Sequence, residues 1–204
     1  THKDSTSWFT QWGVVRRTAG TLDEFVSDVG VPEVLVTDGA AEFVGRDSAF
    51  VKGARNYRVR LHRTEPNRKN QNHATEREIG ILAQRWRSRM EKKQVPKRLW
   101  DRGVVYESEI LSRMARGPSK RSGYEMVTGN TPDISEWLDF EFYDLVWWIY
   151  WPTKPSVSHT VRRLGRWLGV SHRVGSDLSY WILTDKGKEI STTSVEQVTR
   201  EYYM

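Results

Sequence analysis

Two carboxylates stand where an α/β chain could bring them together. Asp38 falls where a short apolar run, Val34 to Val36, stops at Asp38-Gly39, and Glu76 falls near the start of a long helix-forming segment. The 37 residues between them read as a helix and a strand. A carboxylate at a strand end and another on a helix can converge on one divalent ion even when far apart in the chain. Mg2+ takes oxygen ligands in a near-octahedral array. Two such ions can activate a water or a 3′ hydroxyl and stabilise the departing oxygen of a phosphodiester. Any chain of this size holds many Asp–Glu pairs, so the pair alone does not single out that chemistry. Glu42, four residues past Asp38, could be a further acid of the same site or an ordinary surface acid. His62, His73, His159 and His172 each lack a second His or Cys at ligand spacing, so none reads as a metal site.

The elements that must position these acids follow from periodicity. Trp8 to Val15 is rich in aromatic and β-branched residues and reads as a strand. Thr21 to Val29 reads as a short helix, capped by Thr21 with Glu24 three residues on and closed by Gly30. Val34 to Val36 is a brief strand, Ser48 to Ala54 a short helix, and Tyr57 to His62 alternates as a strand does. After a polar loop from Thr64 to Asn72, the segment Ala74 to Lys93 carries a helical stripe of Ile79, Leu82, Ala83, Trp86 and Met90. Pro96 opens a further helix running towards Met114. Strands alternating with helices predict an α/β layer.

Beyond that layer the pattern changes. Gly117 to Gly123 reads as a flexible basic loop, and Asp133 to Asp144 as an acidic, aromatic linker that could also contact another subunit. Phe142 to Trp151, Arg166 to Val170, Tyr180 to Thr184 and Glu189 to Thr193 are short strands, with Asp185 to Lys188 as a hairpin loop. Short, regularly spaced strands suggest a small barrel. Trp147, Trp148 and Trp151 could stack on bases, but a Trp run on a strand reads more simply as barrel core and interface. The boundary falls near Phe140, giving an α/β domain over 1–140 and a β-rich domain over 141–204.

Composition narrows the partners. The 204 residues include no Cys, which excludes disulfides, thiol catalysis and zinc sites built on thiolates, and fits a reducing, intracellular location. No run approaches the length of a membrane span. No signal peptide and no initiator Met open the chain, so it is expected to be part of a longer product. Net charge is +6, and from Arg55 to Lys93 there are 12 Lys/Arg against 4 Asp/Glu. Such concentration is the footprint of a nucleic-acid site, or else a solvated helix face with surplus arginine. Arg77, Arg85, Arg87, Arg89, Lys92 and Lys93 decorate the Glu76 helix, with Arg87 near the azimuth of Glu76 three turns on. Arg68, Lys69 and Asn70 are candidate phosphate contacts in the loop before it. Gln71 and Asn72 either position DNA there or cap the helix.

The local words are more specific. Leu35-Val36-Thr37-Asp38-Gly39-Ala40-Ala41-Glu42-Phe43 resembles the LxxDxxxEF segment of integrases from copia-type LTR retrotransposons. Thr64-Glu65-Pro66 followed by Gln71-Asn72-His73-Ala74-Thr75-Glu76 resembles their TxP…QNGxxE segment. Val95 to Trp100 resembles their PxxxW run, and Gly123 to Pro132 their TPxE…GxxP segment. In the tail, Leu168 to Val170, Tyr180 to Leu183 and Ile190 to Val195 resemble the small SH3-like domain that follows the core in this family.

This resemblance implies a ribonuclease-H-like core of mixed sheet and helices, truncated by its first strand, followed by an SH3-like β-barrel. It implies Asp38 and Glu76 as the second and third members of a D-D-E set that binds Mg2+ or Mn2+. The implied reaction is DNA strand transfer, with Arg68, Lys69, Asn70, Gln71, Asn72, Arg77 and Arg87 contacting DNA. Implied partners are element ends, target DNA and further copies of the chain, with neither a membrane nor a small-molecule substrate. The implied location is the nucleus or a virus-like particle. The chain also departs from the family. Asp4 lies only 34 positions before Asp38, closer than the family's first two acids, so the first ligand is expected upstream of Thr1. The N-terminal zinc module is absent, and His73 replaces the usual Gly before the Glu. With two of three ligands, weak metal binding and little activity are expected. Two alternatives stay open: a non-catalytic nucleic-acid-binding remnant or domesticated copy, and a ribonuclease-H-like nuclease. The tail and the Gln71-to-Glu76 word argue against the nuclease.

Overall fold

The computed structural model describes residues 22, 23, 25–27, 30–37, 43, 45, 47–63, 73–116, 120–150, 161–172 and 178–198, the side chains of 73–75 and 161 excepted. The chain divides into two compact units, one of residues 1–84 and 108–130, the other of 85–107 and 131–204. All of 141–204, read from sequence as a β-rich domain, falls in the second unit, which also takes in 85–107 and 131–140. The Trp8–Val15 strand and the Thr64–Asn72 loop lie outside the described residues.

The first unit is built around a parallel strand pair. Leu22, Asp23 and Phe25–Ser27 are helical. The turn closes as expected at Gly30, whose φ of 103° suits glycine and whose N–H bonds to the Val26 carbonyl at 3.0 Å. Strand β1, Val34–Thr37, leads to helix α1, Ala49–Asn56, and then to strand β2, Arg60–Arg63. Ser48 caps α1 by accepting the Val51 N–H at 3.4 Å. The parallel register sets Val34 opposite Arg60 and Thr37 opposite Arg63. Leu22, Ala54 and Val59 form a core against which Val26, Leu35, Phe50, Tyr57 and Leu61 pack. Alternation then turns Val34 and Val36 away from that core, and Val36 is 57% exposed. The second strand starts three residues later than periodicity suggests. Tyr57 and Arg58 close α1 by bonding to Gly53 and Arg55, and Arg58 takes a left-handed φ of 57°.

Helix α2, His73–Lys92, carries the expected stripe, with Leu82 and Trp86 buried but Ile79 exposed. A 3-10 turn, Lys97–Leu99, opens helix α3, Trp100–Arg113. Strands β3, Ala115–Arg116, and β4, Arg121–Ser122, pair antiparallel around the stretch read as a loop. Helix α4, Gly123–Thr128, follows, capped by Ser122 and ended by Gly129 at φ 76°.

The second unit holds a five-stranded antiparallel sheet in the order β8-β7-β6-β5-β9. The strands are β5 Leu145–Tyr150, β6 Val161–Val170, β7 Tyr180–Thr184, β8 Glu189–Thr192 and β9 Val195–Gln197. Only Thr193 and Ser194 join β8 to β9, yet these two strands occupy opposite edges. In a flat sheet four inter-strand steps of roughly 4.8 Å would separate them by about 19 Å. Three Cα steps of about 3.8 Å reach only about 11 Å. The sheet must therefore roll, and the Ile149 N–H bond to the Ser194 carbonyl carries the β5–β9 ladder into that short connection. A bulge between Trp167 and Gly169, the latter at φ 132°, adds local twist.

The core of the second unit is filled with aromatic rings. Trp167 and Phe142 are fully buried, Tyr106 packs against both, and Trp86 meets Phe142 edge-on with centroids 5.3 Å apart. Gly103 lets the Trp86 ring lie against α3, since a Cβ there would come within 2.1 Å of it. The molecule is thus mixed α/β, with its described antiparallel strands confined to the second unit plus the β3–β4 pair. Among the described residues, no helix is long and apolar enough to cross a membrane.

Candidate metal ligands and nucleic-acid interface

In the first unit the strand register decides where the acids enter. β1 ends at Thr37, one residue before Asp38, and Thr37 pairs with Arg63, the last residue of β2. Both parallel strands therefore run out at one edge. In α/β sheets ligands bind beyond the carboxyl ends of parallel strands, because the connecting segments and helix starts converge there. The next described element after β2 in the sequence is α2, whose first turn carries Glu76. Glu76 is exposed and forms no ion pair among the described residues. A carboxylate so uncommitted is free to ligate a hard cation. Thr37, at the end of β1, is 8% exposed, and its hydroxyl has no hydrogen-bond partner among the described residues. Asp38 itself, Glu42, Arg68, Lys69, Asn70, Gln71 and Asn72 lie outside the described residues. Among the described residues no three His, Asp or Glu side chains cluster as a metal site would.

The basic residues of α2 divide by what they touch. In the second unit Arg85 donates to Glu107 at 3.1 Å, and Arg89 donates to the other oxygen of the same carboxylate. Glu107 is 0% exposed. Arg89 also lies 5.0 Å over the Tyr106 ring and 3.7 Å from Glu141. Burial works against its charge, yet the bond to Glu107 and the nearby acids win and hold its pKa above the ordinary arginine value. Lys93 bridges Glu141 at 2.9 Å and Asp144 at 2.6 Å. Burial opposes its charge too, but both carboxylates outweigh burial and raise its pKa. The bond from Lys93 in turn holds the Glu141 carboxyl below its ordinary value. Arg85, Arg89 and Lys93 are therefore committed to carboxylates of their own unit. By contrast Arg87 and Lys92 are exposed and form no ion pair among the described residues. In the first unit Arg77 is exposed and only 3.9 Å from Glu78, which Arg116 holds at 2.9 Å.

No protein-family model matches the chain, and no curated protein matches its sequence. Among solved structures it is similar to a chain of the cryo-EM structure of the simian T-cell lymphotropic virus intasome in complex with PP2A regulatory subunit B56 gamma. The identity is 13% and the TM-score 0.43, with 89% of this chain and 65% of that one covered. So slight a likeness carries no argument about fold, activity or partners.

What the described geometry can do chemically rests on Glu76 and the exposed cations. In the first unit Arg77 follows Glu76 in α2, and in the second unit Arg87 is exposed on its part of that helix; each retains a charge-assisted donor for phosphate. Glu107 was not singled out from sequence, although an acid inside the apolar run of Val104, Val105, Tyr106, Ile110 and Leu111 is the kind of signal that marks a buried ion pair. Trp148 is buried in the sheet, as its place in a strand-borne Trp run suggests, while Trp147 is half-buried and Trp151 lies outside the described residues. His172 lies against the Trp137 ring with centroids 5.6 Å apart.

Proposed function

We propose that the chain comprises most of the catalytic core and the C-terminal domain of a DNA integrase of the copia type, acting in metal-dependent strand transfer. The carrying observation is that β1 and β2 end in register at Thr37 and Arg63, the residues that precede Asp38 and the segment before the Glu76 helix in the sequence. The ordered motifs, the β1–α1–β2 unit and the rolled five-stranded sheet support a ribonuclease-H-like core followed by an SH3-like domain. In this reading Asp38 and Glu76 hold Mg2+ or Mn2+, whose oxygen preference both satisfy. Bound there, the metal supplies activation of the attacking 3′ hydroxyl and neutralises charge on the departing oxygen. Arg68, Lys69, Asn70, Gln71, Asn72, Arg77 and Arg87 orient DNA ends and target, and the chain works as an oligomer in the nucleus or a virus-like particle.

The test is a strand-transfer assay on the protein extended by the reading frame upstream of Thr1. Asp38→Asn and Glu76→Gln should each lower transfer by more than about 100-fold, beyond the usual cost of losing an outer-shell partner, while DNA affinity holds. Transfer by Glu76→Gln at the parent rate would defeat the proposal. A second reading, a nucleic-acid-binding remnant without catalysis, is favoured by the nearness of Asp4 to Asp38. DNA binding with no metal-dependent transfer in any extended form decides for it.

A further inference from the structure

We infer that the corner between α2 and α3 is a nucleic-acid contact of its own, in which Lys92, Lys97 and Arg98 take phosphates and Trp100 stacks on an unpaired base. The inference rests on DNA being the partner but not on the carboxylates. The corner is held rigidly by its backbone. Gln94 takes a left-handed φ of 52°, its N–H bonds to the Glu91 carbonyl at 3.3 Å, and the Val95 N–H bonds to the Met90 carbonyl at 2.9 Å. This is the Schellman closure of a helix C-terminus. Val95 and Leu99 are buried on either side of Pro96 and pin the turn from within.

So anchored, the corner presents its cations outward. Lys92, Lys97 and Arg98 are exposed and form no ion pair among the described residues, and no acid interrupts the run from Lys92 to Trp100. The adjoining cations are spent elsewhere: Lys93 on Glu141 and Asp144, and Arg102 on Glu189 and the Trp181 ring. Lys97 and Arg98 stand at the start of α3, where the helix dipole disfavours positive charge, so helix stability does not account for them. Trp100 is 47% exposed, leaving much of a large indole face in water. The Trp100 N–H bonds to the Lys97 carbonyl across one 3-10 turn. In such a turn side chains three apart eclipse, so the indole and the ammonium share a side. A π-face beside unpaired cations matches an exposed base on a phosphate chain, and it matches single-stranded or frayed ends better than a closed duplex. An acidic peptide would meet the cations but leave the indole without a planar partner.

The test is fluorescence anisotropy of the whole chain with labelled single-stranded and blunt duplex oligonucleotides. Trp100→Ala should weaken single-strand binding by about tenfold, with duplex binding unchanged and Trp100→Phe restoring the loss. Lys97→Gln with Arg98→Gln should weaken both and lower the salt slope by about 2. Unchanged single-strand affinity in Trp100→Ala, or an equal loss on both substrates not restored by Phe, would overturn the stacking. Capture of a polyglutamate peptide by the corner, with oligonucleotide affinity indifferent to all three positions, would overturn the nucleic-acid assignment. The strand-transfer assay reads the catalytic proposal and these titrations read the corner, so each reading can fail alone.

Discussion

Glu107 keeps a full charge away from water on α3, and only Arg85 and Arg89 make that tolerable. Removing a carboxylate from water costs several kcal/mol, which close, well-directed hydrogen bonds can offset. Truncating the acid leaves both guanidinium groups partly buried and unpaired on that side. Glu107→Ala should therefore cost about 3 kcal/mol of stability, read from urea melts. A loss under about 1 kcal/mol, the level of an exposed ion pair, would show that the pair does little to hold α2 against α3. The same commitment explains why Arg85 and Arg89 are poor candidates for phosphate contact: a phosphate would have to displace a carboxylate that water cannot reach.

At the scale of elements, the end of α2 is tied to the start of the sheet by a compact turn. Tyr143 holds a left-handed φ of 70°, which a bulky residue adopts only when its surroundings impose it. Its N–H bonds to the Trp167 carbonyl, Arg166 bonds to its carbonyl, and Asp144 accepts the Glu141 N–H while pairing with Lys93. Because the folded Glu141 pKa is lowered, its stabilising contribution is present above the ordinary value of 4.5 and is lost as pH falls through the folded value. The melting-temperature gap between the parent and Glu141→Gln should thus narrow as pH drops from neutrality to about 3. A gap that stays constant across that range would remove Glu141 from the tie. Glu141 is 52% exposed, so the effect will be modest. What sequence could and could not foretell divides along similar lines. The close at Gly30, the hairpin at Asp185 to Lys188, the short helix beginning near Ser48 and the α2 stripe are local signals and were readable residue by residue. Strand β9, three residues long, has no room for a period, and the start of β2 shifted because Tyr57 and Arg58 finish α1 instead. Tyr143 and Glu107 are settled by partners 18 or more positions away, which no local pattern encodes. Glu76 falls in the first turn of its helix, as periodicity implied, whereas Asp38 lies outside the described residues.

Over the whole molecule, the net charge of +6 overstates what is available to a polyanion. Twelve cations between Arg55 and Lys93 would give a salt slope near −11 if each neutralised one phosphate of duplex DNA. Structure withdraws several of them, since Arg60 is locked on Glu33, Arg85 and Arg89 on Glu107, and Lys93 on Glu141 and Asp144. Engaging DNA through any of these means first breaking a contact with a carboxylate, and the acid left behind repels the phosphate. The slope for duplex binding should therefore fall well short of that figure. A sharper form compares single cations of equal formal charge. Arg87→Gln, which removes an exposed and unpaired guanidinium, should lower the slope by about 1. Arg60→Gln, which removes a paired one, should leave it almost unchanged and slightly weaken the fold instead. If both substitutions lower the slope equally, binding follows the charge count of the chain and not the surface that the fold leaves open. In that case the division between committed and free cations would have no bearing on how the protein meets nucleic acid.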